Sequence, residues 1–264
     1  MDTDINKLMH LKLSKKEMRQ YFILSGLAVA LGIISGFVAI GFRLLIHGMD
    51  HLFYGKDGVV GNQYGMLILL IPALGGLATG LIVYFFAKEA KGHGIPEVME
   101  AVLVRDGRIR PRVVLAKALS SAITIGTGGS AGREGPIVQI GSAVGSTLAQ
   151  WLKLPTWMVK VMLACGAAGA LAATFNTPIA GVIFALEIII PEFKSRSFIP
   201  LVISSVFATI TARTFLSNVV AFPVPIYSLV SPVELVLYII LGILAGLMAV
   251  FLIKALYFFE DAFE

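Results

Sequence analysis

The sequence is short of cysteine, histidine and charge. Its 264 residues include one cysteine and four histidines, and only 14% of them are charged. One cysteine excludes a disulfide within the chain and any multi-cysteine metal site, and Cys165 lies in an apolar run that indicates a packing role. The sequence also contains no HExxH motif and no Walker loop. We therefore expect no cofactor, no metal and no enzymatic activity.

Apolar residues make up most of the chain. They account for 57% of it, and the mean hydropathy is +0.88, whereas soluble domains are roughly 45–50% apolar and 25% charged. The net charge of +5 would suggest nucleic acid in a soluble protein, but here the basic residues fall between apolar runs, as membrane orientation requires. The composition predicts an all-α integral membrane protein with the lipid bilayer around it and no nucleic-acid partner.

Long apolar runs predict full membrane spans, since a span needs about 20 residues. These runs are 21–46, 65–87 and 232–258. Five Lys or Arg residues precede the first run and six lie in 88–112, whereas 47–64 holds only Lys56. The positive-inside rule then places 88–112 and a short N-terminal segment, 1–20, in the cytoplasm. We predict a multi-pass protein of the plasma membrane or, in a prokaryote, of the inner membrane.

The stretch 113–190 does not resemble ordinary spans. Its apolar segments are short and are interrupted by charges, by prolines and by a glycine cluster at 126–135. Non-helical backbone at membrane depth is tolerated only where protein buries it or where it lines a watery cavity. We therefore predict broken half-helices that meet near the middle of the membrane, a pattern typical of transport sites.

The strongest motif is Gly132-Arg133-Glu134-Gly135-Pro136. Pro136 suits the first turn of a helix, and the glycines leave backbone N–H groups accessible. A helix N-terminus attracts anions, so the sequence predicts an anion site in which the Glu134 carboxylate competes with the anion as a gate. Alternatively, Glu134 pairs with Arg133 or only caps the helix.

A second segment, Gly92-His93-Gly94-Ile95-Pro96, repeats this arrangement ahead of another helix start. His93 offers a side-chain N–H or its main chain to an anion, or it is an ordinary turn histidine. Glu97 and Glu100 fit the first turn, where the helix dipole favours acids.

One lysine, Lys117, lies among apolar residues after the basic loop. It either sets a positive potential along an anion path or extends its ammonium to the membrane surface.

The segment 128–132 also fits the nucleophile elbow G-x-S-x-G. However, no strand precedes Ser130 and all four histidines lie upstream of it, whereas an α/β-hydrolase places its histidine after the serine. A serine hydrolase is therefore disfavoured.

The first and last apolar runs share a pattern. Residues 31–39 match 241–249 at Leu, Gly, Ile, Gly and Ala. Either this small-xxx-small spacing agrees by chance, since it serves helix packing in general, or a second structural repeat begins near residue 231. In the second case we expect 21–230 to be a first repeat and 231–264 the start of a truncated second one.

Taken together, these motifs resemble the CLC chloride channel and transporter family from about residue 20 onward. Residues 92–96 resemble its GSGIP segment, 132–136 are its GREGP segment, and 175–181 (FNTPIAG) resemble the stretch before its paired glutamates. The resemblance implies a homodimer with one pore per subunit, built from two inverted repeats with broken re-entrant helices around a central anion. It assigns Glu134 as the gating glutamate and Lys117 as the pore-lining lysine, and it makes His93, Gly94, Ile95, Pro96, Gly132, Arg133, Gly135 and Pro136 the anion-binding segments.

The sequence departs from the family pattern at three points. His93 replaces the usual serine, which removes a hydroxyl ligand for chloride. Ile188 occupies the position of the proton-transfer glutamate of exchangers, with Glu187 beside it. The second repeat, with its G-x-F-x-P loop and its tyrosine, is missing.

We therefore expect a chloride channel gated by Glu134. The alternatives are a proton-coupled chloride antiporter and a non-conducting half-protein that acts only with a partner.

Overall fold

The computed structural model describes residues 15–55, 65–86, 88–190, 195–216 and 231–263. These residues form nine α-helices and no strand, which confirms the all-α prediction. The helices are α1 (Lys15–Tyr54), α2 (Leu70–Phe86), α3 (Ile95–Val104), α4 (Arg112–Gly126), α5 (Glu134–Trp151), α6 (Thr156–Phe175), α7 (Pro178–Phe184), α8 (Ser195–Leu216) and α9 (Val233–Phe263). The short turns are 3₁₀ segments at Gly65–Leu69 and Lys88–Ala90 and a π-helical turn at Ala185–Ile189.

Among the described residues, four helices are long and apolar enough to cross a membrane. They are α1, α6, α8 and α9, and the chain is a multi-pass membrane protein. The spans expected at 21–46 and 232–258 are thus confirmed. The full span expected over 65–87 is not among these four helices, because the segment opens with a 3₁₀ turn and α2 has only 17 residues. Pro72, which lacks a backbone N–H, fits the first turn of α2.

The prediction of broken helices over 113–190 is correct only in part. A loop does separate α4 from α5, and α7 has only seven residues. In contrast, α6 is one unbroken helix of 20 residues, because its sequence contains no proline and only one charge, Lys160. It ends where Asn176 adopts a left-handed conformation at φ 60°, and Pro178 then begins α7.

The centre of the fold is α6, which packs against α1, α5, α7 and α8. The backbones of α5 and α6 lie in contact, since a Cβ atom on Gly141 would collide with the carbonyl oxygen of Gly166. Cys165 is fully buried in this core beside Met162 and Leu163, which confirms its packing role. This contact fixes the position of α5 and therefore of its N-terminus.

The chain divides into two compact units, Met1–Ala221 and Phe222–Glu264. The first contains α1 to α8 and the second contains α9. The segments 1–14, 56–64 and 217–230 lie outside the described residues, so part of the predicted N-terminal segment, 1–20, and part of the stretch 47–64 fall there. The repeat boundaries at 21–230 and 231–264 and the cytoplasmic position of the N-terminus stay predictions.

Candidate anion site

The N-terminus of α3 follows two glycines in a left-handed conformation. Gly92 and Gly94 have φ values of 90° and 100°, which side chains other than glycine rarely adopt. Helix α3 begins at Ile95 with Pro96 in its first turn, as the sequence predicts. The glycine turns therefore set the direction in which this helix N-terminus points.

A carboxylate of the helix itself occupies this N-terminus. The Gly94 N–H donates a hydrogen bond to Glu97 Oε2 at 2.8 Å, and Glu97 Oε1 lies against Gly92. The Gly94 N–H, predicted as an anion ligand, is thus bound to Glu97 in this structure. The dipole role of Glu97 is confirmed, but the same prediction for Glu100 is wrong, because Glu100 lies beyond the first turn and pairs with Arg105 at 2.7 Å.

Lys117 holds the backbone that leads into α3. Only 3% of it is exposed, and its Nζ donates hydrogen bonds to the carbonyl oxygens of Ala90 at 3.0 Å and Gly92 at 2.7 Å. The alternative of an ammonium that reaches the membrane surface is therefore wrong. Its charge is also close enough to Glu97 to attract that carboxylate, so Lys117 positions both the loop and its acid.

The N-terminus of α5 carries a carboxylate that is held differently. The helix begins at Glu134 and has Pro136 in its first turn, which confirms the predicted helix start. Glu134 is exposed and its carboxylate lies against the Gly132 backbone. Among the described residues it has no hydrogen bond and no ion pair, and the Arg133 guanidinium instead lies over the Phe175 ring at 5.2 Å.

The two helix N-termini touch each other. A Cβ atom on Gly94 would lie 2.7 Å from the carbonyl oxygen of Gly135, and a Cβ atom on Gly135 would collide with the carbonyl oxygen of His93. The structure thus brings together the two predicted segments, 92–96 and 132–136, although the His93 side chain is exposed. Only glycine permits this backbone-to-backbone approach.

A cavity of about 720 Å³ opens beside α3. In its lining the basic side chains outnumber the acidic ones. The charged lining residues are Lys88, Glu89, Lys91, Glu97, Glu100, Arg105, Arg108 and Arg110. All eight come from 88–112, the segment predicted to face the cytoplasm, and together they give the cavity an excess of positive charge.

Glu89 organises the basic residues at the edge of this cavity. It pairs with Arg110 at 2.9 Å and with Arg112 at 3.3 Å. Burial alone would raise the pKa of Glu89, but hydrogen bonds from its own backbone and from Arg112, together with the charges of both arginines, bring that pKa below its usual value.

One polar residue that lines the cavity, Gln139, is not among the site residues that the sequence predicts. It is only 2% exposed, its Nε2 donates to the carbonyl oxygen of Glu89 at 2.9 Å, and it lines the cavity. Its Oε1 has no hydrogen-bond partner among the described residues. An amide within the apolar run of residues 137–140 is itself a signal, because polar residues in membrane helices are usually functional.

The position implied for proton transfer lies on the π-helical turn that packs against α3. Ile188 is 37% exposed, and Glu187 beside it is exposed. Single π turns inside helices occur frequently at functional sites. The structure thus places this pair on a turn that packs against α3.

Comparison with known proteins identifies the family. The family model described as "Voltage gated chloride channel" matches residues 75–264, which include both helix starts. The chain belongs to this CLC family. A putative chloride channel protein, ClcB-like, of Ralstonia nicotianae is 32% identical over 231 residues, which cover 84% of this chain and 54% of that protein. The H(+)/Cl(-) exchange transporter ClcA of Vibrio parahaemolyticus is 32% identical over 250 residues, covering 90% of this chain and 52% of that protein.

A solved CLC structure has the same fold. The slow cyanobacterial Cl⁻/H⁺ antiporter superposes with a TM-score of 0.70 at 26% identity, and the match covers 84% of this chain and 53% of that one. The all-helical structure is therefore a partial CLC fold. The chain spans about half the length of the curated relatives that it matches.

Proposed function

We propose that this CLC chain forms part of a chloride pathway and that the anion binds between the N-termini of α3 and α5. The observation that supports this most strongly is the contact of these N-termini at Gly94 and Gly135. Each N-terminus offers unsatisfied N–H groups and the positive end of a helix dipole. Two such ends at one point favour a small, partly dehydrated anion more than either end alone.

In this proposal Glu134 is the gate. Its carboxylate lies against the Gly132 backbone without a hydrogen bond or ion pair among the described residues, so it is held mainly by the attraction of the neighbouring Arg133 charge. Since the carboxylate carries the same charge as the anion, it competes for the same N-terminus. Protonation of Glu134 or a high anion concentration displaces it and opens the path.

Two cations complete the proposed pathway. Lys117 stabilises the segment 88–92 before α3 and adds positive potential beside it. Arg133, close enough to Arg43 for the two charges to repel each other, gives the outer entrance an excess of positive charge that an arriving anion offsets.

A flux measurement tests the gate. The purified chain is reconstituted in liposomes loaded with potassium chloride, and a potassium ionophore starts chloride efflux by supplying the balancing charge. We expect Glu134→Gln to raise efflux and to remove its dependence on pH. As a matched control, Asp106→Asn neutralises an exposed acid outside the cavity and should leave both the rate of efflux and its pH dependence unchanged. An unaltered pH dependence in Glu134→Gln would refute the gate.

A second candidate function is proton-coupled chloride exchange. The relative named as an exchange transporter and the matching antiporter structure favour it, whereas the isoleucine at position 188 favours passive conduction. An imposed chloride gradient across the same liposomes separates the two, because only exchange drives protons uphill.

We also propose that the chain works as a homodimer, as the family resemblance implies. Counting fluorophore bleaching steps of labelled chains in liposomes tests this. If liposomes that contain well-folded protein release no chloride, the remaining alternative is a half-protein that acts with a partner. Adding the second half of a CLC protein in trans should then restore chloride efflux.

A further inference from the structure

The N-terminus of α3 carries its own acid, and this acid is positioned to act as a second gate. We propose that Glu97 is an inner, cytoplasm-facing gate that gives up the α3 N-terminus to an anion when it takes up a proton, and that Gln139 accepts the hydrogen bond of the protonated carboxyl. This inference rests on the proposed function and extends it to a residue on the opposite side of the anion site from Glu134.

The Glu97 carboxyl group occupies the N-terminus of α3 in the structure. Glu97 Oε2 accepts the Gly94 N–H at 2.8 Å, and Glu97 Oε1 lies against Gly92, whose carbonyl oxygen is bound by Lys117. The carboxylate therefore occupies the position that an anion from the cavity would take at this N-terminus. While it stays there, the anion and the carboxylate exclude each other by charge and by space.

Gln139 can accept a hydrogen bond from a protonated Glu97 carboxyl group. Gln139 Oε1 is buried and lacks a hydrogen-bond partner among the described residues, and a buried acceptor without a donor is costly. Gly94 lies close to both side chains, because its N–H binds Glu97 and a Cβ atom on it would lie 3.2 Å from Gln139 Oε1. A protonated Glu97 carboxyl that turns toward Gln139 supplies the missing donor.

The step conserves charge and atoms. A hydronium ion in the cavity transfers its proton to a Glu97 oxygen and leaves a water molecule. The new O–H group then donates to Gln139 Oε1, and an anion takes the vacated Gly94 N–H. One proton and one chloride enter together, so the net charge of the site does not change.

Other charged and titratable groups lie on every element packed near Glu97. From the turn before α3, Lys88, Glu89 and Lys91 line the same cavity, and His93 lies in the same turn. From α3 itself and the loop after it, Glu100, Arg105, Arg108 and Arg110 line the cavity. Lys117 of α4 lies close enough to Glu97 to attract it. Helix α5, which begins at Glu134, and the π-helical turn, which carries Glu187, also pack against α3.

Chloride binding measured by calorimetry on the purified chain in nanodiscs tests the proposal. All variants carry Glu134→Gln, so that the outer acid no longer titrates. We expect the apparent chloride affinity to rise by about tenfold for each unit that the pH falls, as linkage of one proton to one anion requires. Glu97→Gln in this background mimics the protonated carboxyl and should bind chloride tightly and independently of pH. Asp106→Asn, outside the cavity, should retain the full slope.

A second variant tests the acceptor without removing the acid. Gln139→Met in the Glu134→Gln background keeps the volume and the carboxylate but lacks the oxygen, so the rise in affinity should move to lower pH. An unchanged slope in Glu97→Gln, or an unchanged midpoint in Gln139→Met, overturns the inner gate and leaves the proposed function standing. If the Glu134→Gln chain binds no chloride at any pH, the proposed function fails, and the inner gate fails with it.

Discussion

The N-termini of α3 and α5 are built from the same parts but hold their acids in opposite ways. Each has a glycine before the helix, a proline in the first turn and one carboxylate. At α3 the carboxylate of Glu97 is bound to a backbone N–H and faces a buried lysine. At α5 the carboxylate of Glu134 is exposed and has no such bond among the described residues. The same local sequence design thus yields a tightly capped end and a loosely occupied one.

This difference arises from what lies behind each loop. Lys117 donates charged hydrogen bonds to two carbonyl oxygens in the segment 88–92 before α3. In the loop between α4 and α5, the Thr127 carbonyl oxygen accepts a neutral hydrogen bond of 2.8 Å from the Tyr54 hydroxyl of α1. Charge-assisted hydrogen bonds are roughly twice as strong as neutral ones. We therefore expect the segment before α3 to be held more firmly than the loop before α5, which fits the two gates proposed above.

The largest effect should come from the point where the two ends touch. In Gly135→Ala the added Cβ collides with the carbonyl oxygen of His93, and neither backbone can yield by rotating a side chain. We expect the free energy of unfolding to fall by about 3 kcal/mol and chloride binding to be lost. Unfolding in mixed detergent micelles measures the first and calorimetry the second.

Gly76→Ala is the matched control for this substitution. Gly76 lies within α2, and a Cβ atom there meets nothing within 4 Å, so alanine should raise helix stability by about 0.5–1 kcal/mol. Equal stability of the two variants would show that the helix ends do not touch.

The next largest effect should come from Lys117→Met. Methionine keeps the apolar stem but leaves the carbonyl oxygens of Ala90 and Gly92 without their donor. We expect a loss of about 2–3 kcal/mol in unfolding free energy, as for hydrogen bonds to charged groups, and weaker retention of Glu97 at its N-terminus. Lys160→Met removes only a partly exposed lysine 4.0 Å from Asp106, so it should cost about 1 kcal/mol or less. A similar loss in both variants would contradict the positioning role of Lys117.

The sequence predicted both helix starts because their causes are local. Glycine followed by proline and an acid specifies a helix N-terminus within five or six residues, and both α3 and α5 begin as expected. The long first and last spans were predictable for a similar reason, since length and hydropathy alone define them.

The contacts that make the site were not predictable in this way. The approach of Gly94 to Gly135 depends on where the α5–α6 packing through Gly141 and Gly166 places α5, and no local pattern encodes that distance. The unbroken α6 does not follow from the surrounding sequence, because Pro155 and Pro178 flank it and suggest breaks, although no proline lies within it. The orphan oxygen of Gln139 emerges only from the three-dimensional structure, although the glutamine itself was visible in the sequence.

A smaller effect should come from Tyr54→Phe. This change removes one neutral hydrogen bond to the Thr127 carbonyl oxygen and should lower the free energy of unfolding by about 1 kcal/mol. The measurement is unfolding in mixed detergent micelles, as for Gly135→Ala, and the loss should be smaller than that of Lys117→Met. Tyr84→Phe, at a tyrosine that is 65% exposed, is the control and should have almost no effect. If Tyr54→Phe lowers the free energy of unfolding as much as Lys117→Met does, the loop before α5 is held as firmly as the segment before α3.

The smallest effect concerns Glu89, the second acid at the edge of the inner cavity. Its pKa is lowered from the ordinary value of 4.5 in the folded chain, so its contribution to stability is present above that value and is lost as the pH falls through the lowered one. Glu89→Gln should therefore lower the free energy of unfolding by less than about 1 kcal/mol near neutral pH. In acid the two unfolding curves should converge, because wild-type Glu89 is then protonated as well. A gap that persists or widens in acid would mean that Glu89 stabilises the fold by something other than its charge.

In the Glu134→Gln background, Glu89→Gln should also leave the pH slope of chloride binding intact, because its carboxylate pairs with arginines and not with a helix N-terminus. Loss of that pH slope would assign the inner gate to Glu89 and not to Glu97.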